Sequence, residues 1–395
     1  MDDLARWRAE FPILASTVYL INNSLGAMPR AAVASLADYA RAWATRGVRA
    51  WEERWWEMAL EVGDRIAPII NAPAGSVSMH PNVTTAEMIA LSCFRPHGRR
   101  RKIVCPAMDF PSMVYLYRAQ RALGFGLSVV PAEPDLSVRT DGFLDAIDDE
   151  TLLVAFSHVL FRSSYIMDVR PIVEKAHACG ASVILDVFQS AGIIPVDVTA
   201  LDVDFATGGC LKWLCGGPGN GFLYTRPDLL RTLRPGFSGW FARRQPFAFD
   251  IDDEDLRDDA MRMMNGTPAI PAFYAALPGL EIINEVGVNR IREHSKAMTA
   301  HLLAQVDAHG WSTVTSRDAE RVAGTVAIGV PHARAVSRVL KARDFVVDYR
   351  PGVGLRVSPH FYNTGDEIDR LVAEVARILE AREYDGFDEP ASVVT

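Results

Sequence analysis

Between residues 183 and 225 two short apolar runs each deliver a polar group, and this pattern limits the fold more than any other. Val183-Ile184-Leu185 ends at Asp186, while Val203-Asp204-Phe205-Ala206-Thr207 is followed, five residues on, by Lys212. Apolar runs of this length read as buried strands with their reactive groups at the carboxyl ends. Upstream, residues 102–105, 127–130 and 152–156 read as further strands, the last running into Ser157-His158, and a helix over 169–180 closes at Gly180. Strands alternating with helices at this spacing predict a doubly wound, mostly parallel α/β sheet. Such a sheet binds ligands in the crevice outside the carboxyl ends of its strands.

With 395 residues, the chain is long enough for two domains. The pattern changes after Thr225. Residues 234–253 are irregular and aromatic, long enough to need a ligand or partner to order them. Helices are expected over 271–307, strands near 323–330, 345–349 and 355–358, and a closing helix over 366–382, with the tail from Tyr384 frayed. This predicts a large domain over 15–268 and a smaller α+β part over 269–395, with residues 1–14 packing on the latter. At the amino end, 2–12 reads as a short amphipathic helix, residues 18–21 as a strand entering an Asn22-Asn23-Ser24-Leu25-Gly26 turn, and 30–46 and 50–70 as helices. The tryptophans of the second, Trp51, Trp55 and Trp56, belong to core or subunit interface rather than to a cofactor site.

A net charge of −8 gives no electrostatic support for a nucleic-acid or anionic-membrane partner. The basic run 99–102 precedes an apolar strand and reads as a solvated loop. Five cysteines without a CxxC pair or a histidine at metal spacing indicate neither a disulfide framework nor a zinc site. The acidic, charge-broken start lacks the apolar core of a signal peptide, and no run approaches a membrane span. A cytoplasmic protein is expected.

An acid and a lysine facing one crevice suggest an aldehyde cofactor held by the lysine as a Schiff base, its ring nitrogen paired to the acid. Pyridoxal phosphate fits that description. Asp186 would keep the nitrogen protonated, Gln189 would donate an amide proton to the ring oxygen, and Lys212, set among Cys210, Leu211 and Trp213, would be a desolvated nucleophile. Each has a plainer reading taken alone: a helix cap for Asp186, a surface amide for Gln189, a snorkelling chain for Lys212. Residues 81–87 precede an apolar helix, whose first amides suit a phosphate, although capping alone explains the threonines. The glycine-rich loop 216–221 lacks the Lys-Ser/Thr ending of a P-loop and reads as a turn. Arg356, at a strand end, suits a substrate carboxylate.

Together these residues resemble the class V group of fold-type I pyridoxal-phosphate enzymes, most closely its kynureninase-like branch. The likeness runs through Asn23-Ser24-Leu25-Gly26, Asp109-Phe110-Pro111-Ser112, Ser157-His158-Val159, Lys212-Trp213-Leu214-Cys215-Gly216-Gly217-Pro218-Gly219, Ser238-Gly239-Trp240-Phe241, Gly266-Thr267-Pro268 and Asp348-Tyr349-Arg350. The resemblance implies that Lys212 carries the cofactor, Asp186 pairs its pyridine nitrogen and Phe110 stacks on its ring. Val83 and Thr84 would hold the phosphate together with Trp240, and Thr267 would reach it from the neighbouring subunit of a homodimer. Arg356 would take the substrate carboxylate, with Asn23 and Ser24 bordering the substrate.

Three positions depart from the kynureninase-like pattern. Leu211 stands where a tyrosine precedes the lysine, Met113 where an acid follows the stacking phenylalanine, and Gln189 where a histidine follows the aspartate. The Asp-x-x-Gln spacing is instead similar to cysteine desulfurases, and residues 355–364 resemble selenocysteine-lyase and isopenicillin-epimerase-like sequences. The resemblance therefore implies activation of an L-amino acid at Cα and cleavage at or beyond Cβ. Hydrolysis of kynurenine or a related bulky amino acid comes first, then β-elimination from an S-substituted cysteine, then transamination. A non-catalytic relative that kept the fold is the alternative of a different class, and cofactor binding at Lys212 separates it from an enzyme.

Overall fold

The computed structural model describes residues 2–252 and 254–387. Its centre is a seven-stranded sheet built from β1 (Val77–His80), β2 (Lys102–Pro106), β3 (Gly126–Val130), β4 (Thr151–Ser157), β5 (Ser182–Asp186), β6 (Phe205–Gly209) and β7 (Gly221–Thr225). The order across the sheet is β1-β7-β6-β5-β4-β2-β3. β3, β2, β4, β5 and β6 pair in parallel, and β7 alone runs against the rest, pairing antiparallel with β6 and β1. The expected mostly parallel α/β sheet is present. β1 and β7 were not foreseen, because His80 and the glycines around β7 blur their apolar signal.

Helices Pro111–Ala119, Thr140–Ala146 and Val169–Ala178 link successive parallel strands. β4 is buried along its whole length, which explains why it reads as an unbroken apolar run rather than an alternating one. Helices Ala31–Arg46 and Ile270–Val286 lie outside the sheet, where Trp55 joins the main core and its indole donates to the Tyr274 hydroxyl at 3.3 Å.

Beyond the sheet, β8 (Val326–Ile328), β9 (Asp348–Arg350) and β10 (Gly354–Val357) form an antiparallel three-stranded sheet in the order β9-β10-β8. Helices Val288–Ala308, Ala333–Ala342 and Gly365–Glu380 bury a second core against it. Thr364 caps the last helix through a reciprocal pairing with Glu367.

Several local expectations need correction. The helix expected over 2–12 is one α-turn, Asp2–Ala5, followed by 3-10 turns, with Pro12 opening the second of these. The helix expected over 50–70 divides into a π-helical turn at Trp51–Trp55, an α-helix at Met58–Ile66 and a 3-10 turn at Ala67–Ile70 that carries Pro68. Tyr384 is not frayed: it is buried and its ring stacks on His332 with centroids 4.2 Å apart. The rest of that expected tail, from 388 on, lies outside the described residues. Among the described residues no helix is long and apolar enough to cross a membrane.

Candidate active site

Because only β7 is reversed, the carboxyl ends of β1, β2, β4, β5 and β6 open on one edge. The helix Val83–Ser92 starts just beyond β1, Phe110 follows β2, Ser157 ends β4, Asp186 ends β5, and Lys212 follows β6. Ladder register sets Asp186 between Ser157 on one side and Thr207 on the other. These ends surround a cavity of about 270 Å³. Asn23, Ser24, Val83, Thr84, Phe110, Asp186, Gln189, Lys212 and Arg356 all line it, as do the departing residues Leu211 and Met113.

The acid and the lysine share this cavity and act on each other's charge. Burial pushes the Lys212 amine well below the usual lysine range, Asp186 opposes that shift, and Arg356 and Arg350 add to it. Burial likewise pushes the Asp186 carboxyl up, against the Phe188 amide and Lys212, which favour its charged form. One Asp186 oxygen accepts from the Phe188 amide at 2.7 Å, and its main-chain carbonyl accepts from the His158 amide at 2.8 Å.

The Asn22–Gly26 turn crosses directly over the lysine loop. The Gly26 amide donates to the Leu211 carbonyl at 3.0 Å, and a Cβ at Gly26 would stand 2.0 Å from the Lys212 carbonyl oxygen. Only glycine permits so close an approach. The C-terminal segment closes on the same loop: Asn22 donates to the Ser358 carbonyl at 2.8 Å, Tyr362 donates to Asn22 at 2.5 Å, and a His360 ring nitrogen lies 2.8 Å from the Trp213 carbonyl.

Gln189 is held at both ends. The Trp213 indole, which can only donate, fixes the amide oxygen at 3.1 Å, so the nitrogen is the end that donates to the Asn23 carbonyl at 3.0 Å. One amide hydrogen remains for a ligand. Asn23 itself is buried, yet both polar atoms of its side chain lack any partner while it lines the cavity. Buried amides are ordinarily satisfied, so this unmatched donor and acceptor suit a polar ligand.

Arg356 is buried and fixed from several directions. Its Nε donates to Asp348 at 2.8 Å, Nη2 makes a second contact with the same carboxylate oxygen, and Nη1 donates to the Phe161 carbonyl. The other oxygen of Asp348 accepts from Arg350 at 2.8 Å. Two guanidinium groups thus share one internal acid beside the cavity.

The residues present fit pyridoxal phosphate. Asn82 caps the helix Val83–Ser92 by accepting from the Thr85 amide at 2.9 Å, and the first-turn amides before it have no intrahelical acceptor and suit a phosphate. Beneath the site lie two further buried acids. Asp109 accepts from the Ser157 amide at 2.9 Å and Glu87 from the Tyr117 and Thr207 hydroxyls. Burial pushes both up to about 8.

Two predicted residues stand apart from the cavity within one chain. Trp240 packs in an aromatic cluster, 5.1 Å from Trp56 and 5.3 Å from Phe241 between centroids, and Thr267 is exposed. Neither belongs to the cavity lining. Conversely, Phe161, Phe188, Asp348 and Arg350 bear on the site and were not assigned from sequence. Arg350 and Asp348 belong to the Asp348-Tyr349-Arg350 stretch, and Phe188 sits two residues past Asp186.

A family model described as aminotransferase class-V matches residues 18–371. A kynureninase of Bacillus thuringiensis subsp. konkukian (strain 97-27) is 30% identical, over 100% of this chain and 95% of that protein. The uncharacterized aminotransferase YcbU of Bacillus subtilis (strain 168) is also 30% identical, over 94% of this chain and 97% of its own length. Among solved structures, an apo cysteine desulfurase from Thermococcus onnurineus NA1 superposes with a TM-score of 0.83 at 22% identity, covering 95% of this chain and 98% of that one. A complex of the cystine C-S lyase C-DES superposes with a TM-score of 0.83 at 20% identity, covering 93% and 99%. With the strand-end site and the sheet order they share a single answer: this chain belongs to the aminotransferase class-V family.

Proposed function

We propose that the chain is a pyridoxal-phosphate enzyme that activates an L-amino acid at Cα and cleaves a bond at or beyond Cβ, with kynureninase-like hydrolysis of kynurenine or a related bulky amino acid as its reaction. The observation that carries this reading is the meeting of Lys212, Asp186, the Val83–Ser92 helix start and Arg356 on one cavity. When bound, pyridoxal phosphate supplies an electron sink for negative charge at Cα. The first amides of the Val83–Ser92 helix and the Thr84 hydroxyl hold the phosphate. Asp186 keeps a proton at the ring nitrogen, Gln189 donates to the ring oxygen, and Phe110 covers one ring face. Arg356 binds the α-carboxylate and so fixes Cα, while Asn23 and Ser24 border the side chain. The Lys212 amine, desolvated and therefore a competent base near neutral pH, moves the proton at Cα.

We also infer a cytoplasmic homodimer in which Thr267 serves the phosphate site of the neighbouring subunit, since it does not line the cavity of its own chain. β-Elimination from an S-substituted cysteine is the second reading. It is favoured by Leu211 and Met113, which put apolar groups where hydration of a ketone would draw on polar ones. Product analysis decides. Anthranilate from kynurenine supports hydrolysis, pyruvate with a thiol supports elimination, and conversion of the cofactor to its amine form would instead indicate transamination. No cofactor absorbance on mixing with pyridoxal phosphate, or absorbance unchanged in Lys212→Ala, would overturn the assignment of the site.

A further inference from the structure

Glu87 lies on the helix Val83–Ser92, three residues after Thr84 and four after Val83. Side chains at that spacing share one face of a helix, so Glu87 stands a single turn beneath the two residues that this helix presents to the cavity. It is buried, and so are both of its partners. One carboxyl oxygen meets the Thr207 hydroxyl at 3.1 Å, and the other meets the Tyr117 hydroxyl.

Those partners come from two other elements, each of which leads to or from a residue of the site. Thr207 lies within β6, five residues before Lys212, and its carbonyl accepts from the Val187 amide, next to Asp186, at 2.7 Å. Tyr117 lies on the helix Pro111–Ala119, whose preceding residue is Phe110. One side chain therefore joins the helix start at Val83 to the strand before the lysine and to the helix behind Phe110. Elsewhere this helix packs through Ala86, Ile89, Ala90 and Leu91 into an apolar cluster with Ile184 and Phe205. Such contacts are non-directional, whereas a buried carboxyl with both oxygens matched specifies one arrangement of the elements that it joins.

We propose that Glu87 is a positioning residue for the cofactor phosphate: by tying its helix to β6 and to the helix behind Phe110, it sets the phosphate seat at Val83 and Thr84 against the Lys212 amine. The inference rests on reading the cavity as a pyridoxal-phosphate site. A cofactor held at its aldehyde by one element and at its phosphate by another needs the two at a fixed separation. Glu87 touches neither end and acts through the elements that do.

Titration of the full chain with two aldehydes tests this: pyridoxal phosphate, and pyridoxal, which lacks the phosphate, each followed by cofactor absorbance. The ratio of the two affinities is the quantity read. Glu87→Ala is expected to weaken pyridoxal phosphate about tenfold, the loss of one charge-assisted hydrogen bond to the phosphate, and to leave pyridoxal near the wild-type affinity. Glu87→Gln should keep the wild-type ratio, because an amide offers one acceptor and one donor to two hydroxyls that can each play either part. Thr207→Val and Tyr117→Phe, which remove one hydroxyl each at nearly constant shape, should lower the ratio in the same direction and add nothing to Glu87→Ala. Should Glu87→Ala fail to fold, these two variants decide alone. A loss shared equally by both aldehydes means a role in stability only and overturns the proposal, as does an unchanged ratio or a ratio that falls as far in Glu87→Gln as in Glu87→Ala. Absence of cofactor absorbance with either aldehyde in the wild type overturns the underlying reading, and so is distinct from an unchanged ratio in a protein that binds.

Discussion

Arg356 is held by Asp348 through two nitrogens on a single carboxylate oxygen, leaving the second oxygen to Arg350. An arginine so fixed loses little freedom when it receives a carboxylate, which makes the pairing a positioning device as well as an ion pair. Arg356→Lys should raise KM for the amino acid roughly tenfold or more while kcat falls less, because an ammonium cannot reproduce the planar fork. Asp348→Ala should also lower stability by about 3–5 kcal/mol, the usual loss when one partner of a buried pair is removed. Steady-state kinetics and thermal melting check the two effects. An unchanged KM in Arg356→Lys would remove Arg356 from the substrate site.

The Lys212 amine lies below the ordinary lysine range because burial disfavours its charged form, and Asp186 partly restores that form. Removing the acid therefore moves the amine further down, not up. In protein free of cofactor, the rate at which Lys212 is acylated should titrate below the pH expected of a surface lysine, and in Asp186→Asn the midpoint should fall lower still. Mass spectrometry of the labelled peptide across a pH series measures both. A midpoint that rises in Asp186→Asn would contradict the coupling.

Glu87 carries a pH signature of its own. Burial first, then the charge of Asp186, push its carboxyl up to about 8 from an ordinary value of 4.5. The folded protein keeps a proton that the unfolded chain releases above about 4.5, so the favourable contribution is complete below that pH and is lost progressively as pH rises to about 8. Glu87→Gln retains the shape without the ionisation. Its melting temperature relative to wild type should therefore improve from pH 5 to pH 8, by about 2–4 °C. A difference that stays flat or shrinks over that range would show Glu87 to be ionised in the fold.

The sheet and its reactive edge were legible in the sequence because parallel strands buried on both faces write unbroken apolar runs, as at 152–156 and 183–185. Asp186 and Lys212 announced themselves by interrupting such runs. Phe188 left no comparable signal: an aromatic residue beside a strand reads as core, and Gly209, which its ring packs against, as one more glycine. The pairing depends on β5 and β6 being adjacent, which only the assembled sheet reveals. Asp348 was likewise hidden, since its value lies in reaching across from β9 to an arginine on β10. At the amino end, Pro12 and Pro68 broke helical patterns that hydrophobic spacing alone extended too far.

Thr267 is exposed and does not line the cavity of its own chain, so a role at the phosphate calls for a second copy. Coexpression of two inactive variants tests the sharing of sites. If Lys212→Ala and Thr267→Asp each abolish turnover as homodimers, a mixed dimer should regain one intact site, formed by the lysine of the Thr267→Asp chain and the threonine of the other. With random pairing, half the dimers are mixed and each carries one working site of two, so recovery should approach about a quarter of wild-type activity. If Thr267 instead served its own chain, each mixed dimer would contain one site without the lysine and one without the threonine, and recovery would be nil. Separate affinity tags on the two chains allow the mixed dimer to be isolated and its activity assigned.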